Sequence, residues 1–256
     1  MQLIPGVENV DAVPAIYIRE LDAICVADLH LGYEGIMAEY YGLFLPKTQF
    51  KEELELLREM LRSFDRKPKR IVLLGDVKHE FSETSYHEYK ELKELFLYLE
   101  QNFEQIMIIK GNHDNFIARA TKGFEKIELF DELELGDYFL THGHKLEKPL
   151  SYFAKKGRKV IIGHEHPAIA LYSDVGGREK LKCFLAGKCK RGFYLLVLPA
   201  FSTLAEGTEI NVVPQSELLS PILKLVDIDN LDVFLVDRDL GFKRLAKLVE
   251  LRKVVP

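Results

Sequence analysis

The sequence predicts an α/β protein in which two packed sheets carry helices on their outer faces. In the first part of the chain, short apolar runs typical of buried strands alternate with amphipathic helical patterns, whereas the later part is rich in strand patterns. Five of the apolar runs end in His, Asp or Asn, and four of these endings include Gly. Because ligand sites of α/β sheets lie at the carboxyl ends of strands, this pattern predicts a site as well as a fold.

The five strand ends contain six of the eight histidines of the chain, which a random distribution would not produce. Asp28 and His30 stand two residues apart, so in a strand they would point to the same side. The runs and the polar residues that follow them are 23–27 with Asp28 and His30, 71–74 with Asp76, 106–109 with Asn112, His113 and Asp114, 138–140 with His142 and His144, and 160–162 with His164 and His166.

The other elements of the first part follow from periodicity and from breaker residues. Residues 15–18 predict an edge strand paired with 23–27, and a short helix is expected to end near Tyr41 after a glycine-flanked loop. An amphipathic helix starts at Pro46-Lys47, and a further helix is predicted over 85–100. In the first of these two helices, Phe50, Leu54, Leu57 and Leu61 form the apolar face, and Glu52, Glu53, Glu55 and Arg58 stand between them.

The second part of the chain predicts mainly strands. Two or three short strands are expected over 126–141, with a hairpin turn at Gly136-Asp137. Further strands are predicted over 168–172, 181–186 and 193–198, followed by a last hairpin of Ile222–Val226 with Val233–Val236 and a closing helix over 242–253. We expect one domain over residues 1–256, with its core at about 15–205 and the C-terminal hairpin and helix at about 215–256.

Composition narrows the class of protein. The chain has 256 residues, 47% of them hydrophobic, and a formal net charge of −5. It has neither an apolar run near 18 residues nor a signal-peptide pattern, so we expect a soluble cytoplasmic protein without membrane contact. The negative charge argues against a protein that coats nucleic acid. The three cysteines, Cys25, Cys183 and Cys189, do not form a paired disulfide framework.

The residue types at the strand ends suit a site for two divalent metal ions. Such a site needs oxygen ligands, neutral imidazoles and one carboxylate that bridges both ions. Asp76 is the candidate bridge. The mixture of ligands favours Mn²⁺, with Fe²⁺, Zn²⁺ and Ni²⁺ as alternatives. The candidate ligands are Asp28, His30 and His166 for the first ion and Asn112, His142 and His164 for the second.

These motifs, in this order, resemble those of the calcineurin-like metallophosphoesterases. The resemblance covers roughly residues 23–200 and implies a four-layer α/β/β/α sandwich with two mixed sheets flanked by helices. It also implies the ligand roles given above, with Asp76 bridging the two metals. His113, in Gly111-Asn112-His113-Asp114, would be the catalytic histidine that protonates or stabilises the leaving oxygen, and Asp114 would orient it.

A finer resemblance links the chain to SbcD-type DNA repair nucleases. Residues 27–34 are similar to their first motif, and Asp76 followed by His79 is similar to their second, in which the extra histidine helps to position the nucleic acid. Residues 198–202 resemble the small, capless SbcD-related phosphoesterases, which include ligase-associated endonucleases. The resemblance therefore implies a small repair-related enzyme without the cap domain of the large nucleases.

Three further residues are candidates for substrate contact. His79 could position the substrate or be a solvated loop residue, and Lys78 could bind a phosphate or be an exposed lysine. His144 could contact substrate or metal, or hydrogen-bond to a metal ligand. The basic runs at 145–159 and 178–191 would form a nucleic acid track if both flanked the metal site.

We hypothesise a dinuclear phosphodiesterase or nuclease that acts on nucleic acid, with single-stranded DNA as the favoured substrate. A hydroxide that bridges the metals would attack phosphorus in line. The alternative is an enzyme acting on small molecules, either a phosphodiesterase for cyclic or other nucleotides or a phosphomonoesterase. A metal-free interaction scaffold is a minor alternative. A homodimer is left open, and the pattern does not identify a protein partner.

Overall fold

Two stacked sheets form the centre of the computed structural model, which describes residues 1–81, 86–172 and 176–255. The first sheet contains seven strands within these ranges, ordered as they occur in the chain. Strands up to β4 pair antiparallel, whereas β4 to β7 run parallel. The strands are β1 (Gln2–Ile4), β2 (Val7–Asn9), β3 (Ala15–Ile18), β4 (Ala23–Val26), β5 (Arg70–Leu74), β6 (Gln105–Ile109) and β7 (Ile127–Phe130).

The second sheet contains nine strands within the same ranges. Its main order is β14-β11-β12-β13-β10-β9-β8, and β15 pairs with both β12 and β16. Strands β9 and β10 run parallel. The strands are β8 (Glu132–Leu135), β9 (Tyr138–Thr141), β10 (Lys159–Ile162), β11 (Pro167–Tyr172), β12 (Arg178–Lys188), β13 (Tyr194–Val197), β14 (Thr208–Glu209), β15 (Asp232–Asp237) and β16 (Gly241–Lys247).

Helices cover the outer face of each sheet and complete the four predicted layers. Those packed on the first sheet are α2 (Gln49–Arg62), α3 (Tyr86–Asn102) and α4 (Ile117–Thr121), whereas α1 (Tyr33–Tyr41), which follows the loop after β4, buries only Glu34. Those of the second half are α5 (Leu150–Phe153), α6 (Pro221–Leu225) and α7 (Leu248–Lys253). None of the helices within the described ranges is long and apolar enough to cross a membrane.

Strand β5 shows why the sequence folds into layers. Side chains alternate between the two faces of a strand. Ile71 and Leu73 accordingly pack in the apolar cluster beneath α2 and α3, whereas Val72 and Leu74 pack between the two sheets. A strand buried on both faces is therefore apolar at every position, as in the parallel strands of covered sheets.

Most predicted elements of the first two thirds of the chain are confirmed. The pairing of β3 with β4 and the β8–β9 hairpin at Gly136-Asp137 are as expected. The helix predicted from Pro46-Lys47 begins at Gln49, and the helix predicted over 85–100 is Tyr86–Asn102, with residue 85 outside the described ranges. The prediction that residues 15–18 form an edge strand is wrong, because β1 and β2 form a hairpin of short strands and β2 pairs with the other side of β3.

Two predictions at the C-terminus are wrong. Residues 221–225 form helix α6, since Pro221 occupies a first-turn position where its missing N–H costs nothing. The last hairpin is β15 with β16 instead, and the closing helix is limited to Leu248–Lys253. The sequence of β16 is rich in Lys and Arg, a composition that suits an exposed edge strand. Surface helices have a similar composition, which explains the prediction of a helix here.

Glu53 was expected among the polar side chains of α2, but it is buried. Its carboxylate accepts a hydrogen bond from the side-chain amide of Gln49 at 2.9 Å, in a polar layer between α2 and the loop after β13. Burial raises the pKa of Glu53 to about 8. The helix therefore has a polar patch within its buried face, which periodicity alone does not reveal.

Candidate metal centre

The five predicted strand ends meet at one edge of the two sheets. Strands β4, β5 and β6 of the first sheet and β9 and β10 of the second end there. Two compact groups that include a carboxylate result, and the atoms of each group lie within 4.8 Å of one another; a third group of the same compactness consists of His30, His79 and His113. Asp28, His30 and His166 form the first group, and Asp76, His142 and His164 form the second.

The backbone at these strand ends is left-handed, which is uncommon for residues other than glycine. Asp28, His30, Asp76, His164 and His166 all have φ between 47° and 66°. Asp28 and His30 thus converge through a tight turn after β4, not through strand alternation as the sequence suggested. Such strained residues cost about 1–3 kcal/mol each and persist at functional sites, where the surroundings hold them.

The first group has the spacing of ligands that share one cation. The Nε2 atoms of His30 and His166 are 3.3 Å apart, and Nε2 of His166 is 3.1 Å from Oδ1 of Asp28. Ligand nitrogens and oxygens lie about 2.0–2.2 Å from a metal such as Zn²⁺, so pairs at this separation fit around one ion. The backbone N–H of His164 donates to both carboxylate oxygens of Asp28 and fixes their direction.

The second group contains the predicted bridging residue. Oδ1 of Asp76 accepts a hydrogen bond from the backbone N–H of His113, which directs Oδ2 toward the histidines. That oxygen is 3.1 Å from Nε2 of His142 and 3.9 Å from Nε2 of His30, a ligand of the first group. Asp76 therefore lies between the two groups. Oδ1 of Asn112 is 3.3 Å from Nε2 of His142, as expected for a further oxygen ligand on this side.

The protonation of the imidazoles suits metal binding, which needs an unprotonated nitrogen. Burial and the neighbouring His166 lower the pKa of His30 to about 3, and burial and His142 lower that of His164 to about 4. His142 differs from these two imidazoles. Its Nδ1 donates to the carbonyl of Leu74 at 3.0 Å, so Nε2 faces Asp76. Burial opposes protonation of His142, but Asp76 and Asp28 raise its pKa to about 9, so a metal that binds Nε2 must displace a proton from it.

Two glycines allow the strand ends to approach. A Cβ atom on Gly75 would lie 2.1 Å from Nδ1 of His142, and a Cβ atom on Gly111 would lie 2.1 Å from Oδ1 of Asp76. Neither distance is compatible with a side chain, so both positions require glycine.

Substitution of Gly111 by alanine is therefore expected to displace Asp76 and to reduce metal binding at both groups. Gly35 is the matched control, since a Cβ atom there meets nothing within 4 Å and alanine favours the helix by up to about 1 kcal/mol. Metal content after dialysis, measured by elemental analysis, should fall in Gly111→Ala and stay unchanged in Gly35→Ala. Full metal content in both variants would contradict the packing argument.

His113 lies beside the bridging carboxylate, with Nε2 3.9 Å from Oδ2 of Asp76. Its Nδ1 atom hydrogen-bonds to the backbone carbonyl of His79, which can only accept, so the ring carries a proton on Nδ1. Nε2 is then the atom that takes up or releases a proton at the site. Burial lowers the pKa of His113.

Asp114 occupies a different place from the one expected. Its hydrogen bonds within the described residues go to the backbone amides of Val77, Lys78 and Gly111, at 2.9, 3.3 and 2.8 Å, and not to the ring of His113. Burial raises its pKa to about 6. Asp114 thus joins the loop after β5 to the loop after β6, while the carbonyl of His79 orients His113.

The three candidate substrate residues are in different surroundings. Nδ1 of His79 is 3.2 Å from Nδ1 of His30, and the rings of His79 and His113 stack at 5.2 Å. Nδ1 of His144 is buried without a hydrogen-bond partner among the described residues, and its ring lies 5.2 Å from that of His142. Lys78 is fully buried, and its ammonium group donates a hydrogen bond to the backbone carbonyl of Glu80. The expectation of an exposed lysine is therefore wrong.

Two residues that were not predicted from the sequence support the backbone of the loops that carry site residues. Gln49 donates its side-chain amide to the carbonyls of Leu29 and His30 at 3.1 and 3.0 Å. Glu88, buried near the start of α3, accepts hydrogen bonds from the backbone N–H groups of His79 and Glu80, both at 2.9 Å. In the sequence, such a residue is visible only as a polar side chain on the buried side of a helix. That pattern does not show which loop the side chain contacts.

Glu88 is expected to act on His113 through the His79 carbonyl. Replacement by alanine removes two hydrogen bonds to that loop and should lower kcat by about 10–100-fold, the usual cost of removing such a supporting partner. Glu88→Gln keeps an acceptor oxygen and should retain most of the activity. Steady-state kinetics of the two variants at equal metal content test this, and equal losses in both would contradict it.

The basic runs do not form an open basic track. Most of their cations are paired with acids: Lys145 with Glu147, Lys148 with Glu132, Arg158 with Glu134, Lys159 with Glu20, Arg178 with Glu209, Lys180 with Glu206 and Lys190 with Asp227. Lys182 is buried against the carbonyls of Ala200 and Ser202. Exposed pairs of this kind add little stability, but they leave little unpaired positive charge for phosphates.

The four-layer fold and the two His/Asp groups at its strand ends define a metal-dependent phosphoesterase. A model of the calcineurin-like phosphoesterase superfamily domain matches residues 21–189, more than half of the chain. The chain therefore belongs to the calcineurin-like phosphoesterase superfamily, whose members depend on divalent metals.

The fold agrees with that of one solved structure. The chain is similar to the nuclease MPE of Pseudomonas putida, with 24% identity, a TM-score of 0.58 and coverage of 91% of this chain and 92% of the other. It also matches the phosphoesterase Yfce of E. coli, with 15% identity, a TM-score of 0.40 and coverage of 85% and 88%. No curated protein matches the sequence.

Proposed function

We propose that this protein is a phosphodiesterase that binds two divalent metal ions, preferably Mn²⁺, and cleaves single-stranded nucleic acid. The observation that carries the proposal is the position of Asp76 between the two ligand groups, with Nε2 of His113 3.9 Å from its carboxylate. Further support comes from the likeness in fold to a protein described as a nuclease and from the SbcD-like motif around His79. A DNA repair role rests on that resemblance alone.

Each residue has a defined task in this proposal. Asp28, His30 and His166 would hold one ion, and Asn112, His142 and His164 the other, with Asp76 shared. When bound, two such ions would supply a hydroxide near neutral pH and would neutralise charge that develops on the phosphoryl group.

Three histidines are proposed to act on the substrate itself. Protonated His113 donates from Nε2 to the leaving oxygen, while the His79 carbonyl retains the Nδ1 proton. His30 would hold a metal through Nε2, and its Nδ1–H would then donate to Nδ1 of His79. Nε2–H of His79 is then available to donate to a phosphate oxygen. His144, with its unpartnered Nδ1, is proposed to bind the substrate on the side of His142 and His164.

A small nucleotide or another small phosphodiester remains a second candidate substrate, because most cations of the two basic runs are paired. Mn²⁺-dependent hydrolysis of an aryl phosphodiester, compared with the matching monoester and with single-stranded DNA as competitor, separates the candidates. Diester preference with inhibition and cleavage of the DNA is expected. Monoester preference without a response to DNA would overturn the nuclease proposal.

A further inference from the structure

An aromatic cavity opens next to the catalytic histidine. It has a volume of about 260 Å³ and is lined by residues of α1 and of the loop after β5. Tyr40, Tyr41 and Phe81 provide its aromatic side chains, which are 62%, 72% and 53% exposed. Exposed aromatic residues clustered around one cavity are unusual for a surface without a binding role.

The cavity adjoins the metal centre through His79 and Phe81. The ring of Phe81 lies against that of His113, with centroids 3.6 Å apart, and His79 forms part of the cavity wall. On its other side, His79 packs edge-on against Tyr33 at 4.7 Å. A group that fills the cavity would therefore be attached to a substrate whose phosphorus is held at the metals, close to the leaving oxygen.

The chemistry of the lining selects a flat, uncharged group. Ile36 and Met37 add apolar surface, and Glu80 supplies a carboxylate that would repel a phosphate. Aromatic side chains beside a phosphate site are the usual platform for bases of single-stranded nucleic acid, because every base has a π-face that can stack.

We infer that this cavity binds a nucleobase next to the scissile phosphate, which deepens the proposed function and rests on it. Recognition of this kind depends on stacking between the base and the rings of Tyr40 and Tyr41, and so tolerates any base. It also explains how the enzyme would hold a strand when the basic runs offer little unpaired charge.

The test compares two inhibitors of Mn²⁺-dependent aryl phosphodiester hydrolysis: a short single-stranded oligonucleotide and an abasic oligonucleotide of equal length. The wild-type protein should be inhibited about tenfold more strongly by the base-containing strand, since stacking on one aromatic residue contributes about 1–3 kcal/mol. In the Tyr40→Ala/Tyr41→Ala double variant this ratio should fall toward one, whereas Tyr40→Phe/Tyr41→Phe should keep it.

Tyr172 provides the matched control, because it is partly exposed at the end of β11, about 20 Å along the strand from His166. Tyr172→Ala should keep both activity and the ratio. An unchanged ratio in the Tyr40/Tyr41 alanine variant would overturn the inference, as would a changed oligomeric state with the ratio intact. An oligonucleotide that inhibits with the expected ratio but is never cleaved would overturn the proposed nuclease function and leave the base site standing.

Discussion

Replacement of Asp76 by asparagine is expected to lower kcat/KM for phosphodiester hydrolysis by at least about 10³-fold. Asp76 lies between the two ligand groups, with Oδ2 3.1 Å from His142 and 3.9 Å from His30. An amide in its place lacks the charge that would hold both ions. Metal ions contribute several kcal/mol to catalysis of this kind, and each 1.4 kcal/mol is about tenfold in rate.

The Asp76 prediction is checked by kinetics together with bound metal. Asp76→Asn should bind less Mn²⁺ than the wild-type protein at equal free metal, and higher Mn²⁺ should restore only part of the activity. Asp65→Asn is the matched control, because Asp65 is exposed on the surface. Near-normal turnover in Asp76→Asn, with metal bound, would exclude Asp76 as the bridging residue.

Substitution of His113 by alanine is expected to slow cleavage in a way that depends on the leaving group. Nε2 of His113 is positioned beside Asp76 while Nδ1 is held by the His79 carbonyl. Proton donation by a positioned side chain contributes about 10²–10⁴-fold. A nucleoside or alkyl oxygen needs this proton and should suffer the full loss, whereas a nitrophenolate leaves unprotonated and should suffer much less.

Rates for a series of diesters with leaving groups of increasing basicity measure this effect. The dependence of kcat/KM on leaving-group pKa should be steeper in His113→Ala than in the wild-type protein at equal metal content. His87→Ala is the control, since His87 lies on the exposed side of α3. Parallel dependences in the two proteins would show that His113 acts by positioning and not by proton transfer.

The layered core and the ligand groups could be predicted from the sequence for a simple physical reason. Strands buried on both faces are apolar throughout, so their ends are visible wherever a carboxylate or an imidazole interrupts the run. Asp28, Asp76 and His142 stand at such interruptions. The grouping of distant ends then follows from parallel pairing, as in β4, β5 and β6.

Interactions that join distant segments could not be predicted in this way. Two of the three backbone amides that donate to Asp114 are 36 and 37 residues away, and the orienting partner of His113 is a carbonyl 34 residues away. Backbone groups are the same in every residue, so a sequence does not indicate which one will form the hydrogen bond. For the same reason, the supporting roles of Gln49 and Glu88 emerged only with the fold.

Charge content misled the prediction at the edges of the sheets. Strand β16 carries Lys and Arg because one of its edges is unpaired within the described ranges. This composition led to the prediction of a helix where the structure has a strand. The two basic runs were considered as a nucleic acid track, but acids pair with most of their cations, and all but one of these acids come from other segments. Whether a basic run can bind phosphates therefore depends on the acids that the fold places beside it, as it places Glu209 beside Arg178.

The central claim is that the two ligand groups sharing Asp76 form a dinuclear phosphodiesterase centre. Its most direct test is titration of the chelator-treated wild-type protein with Mn²⁺, in which bound metal and phosphodiester turnover are recorded on the same samples. We predict two ions per chain and activity that rises with the second ion. Full turnover by the metal-free protein, or no turnover with two ions bound, would contradict the claim.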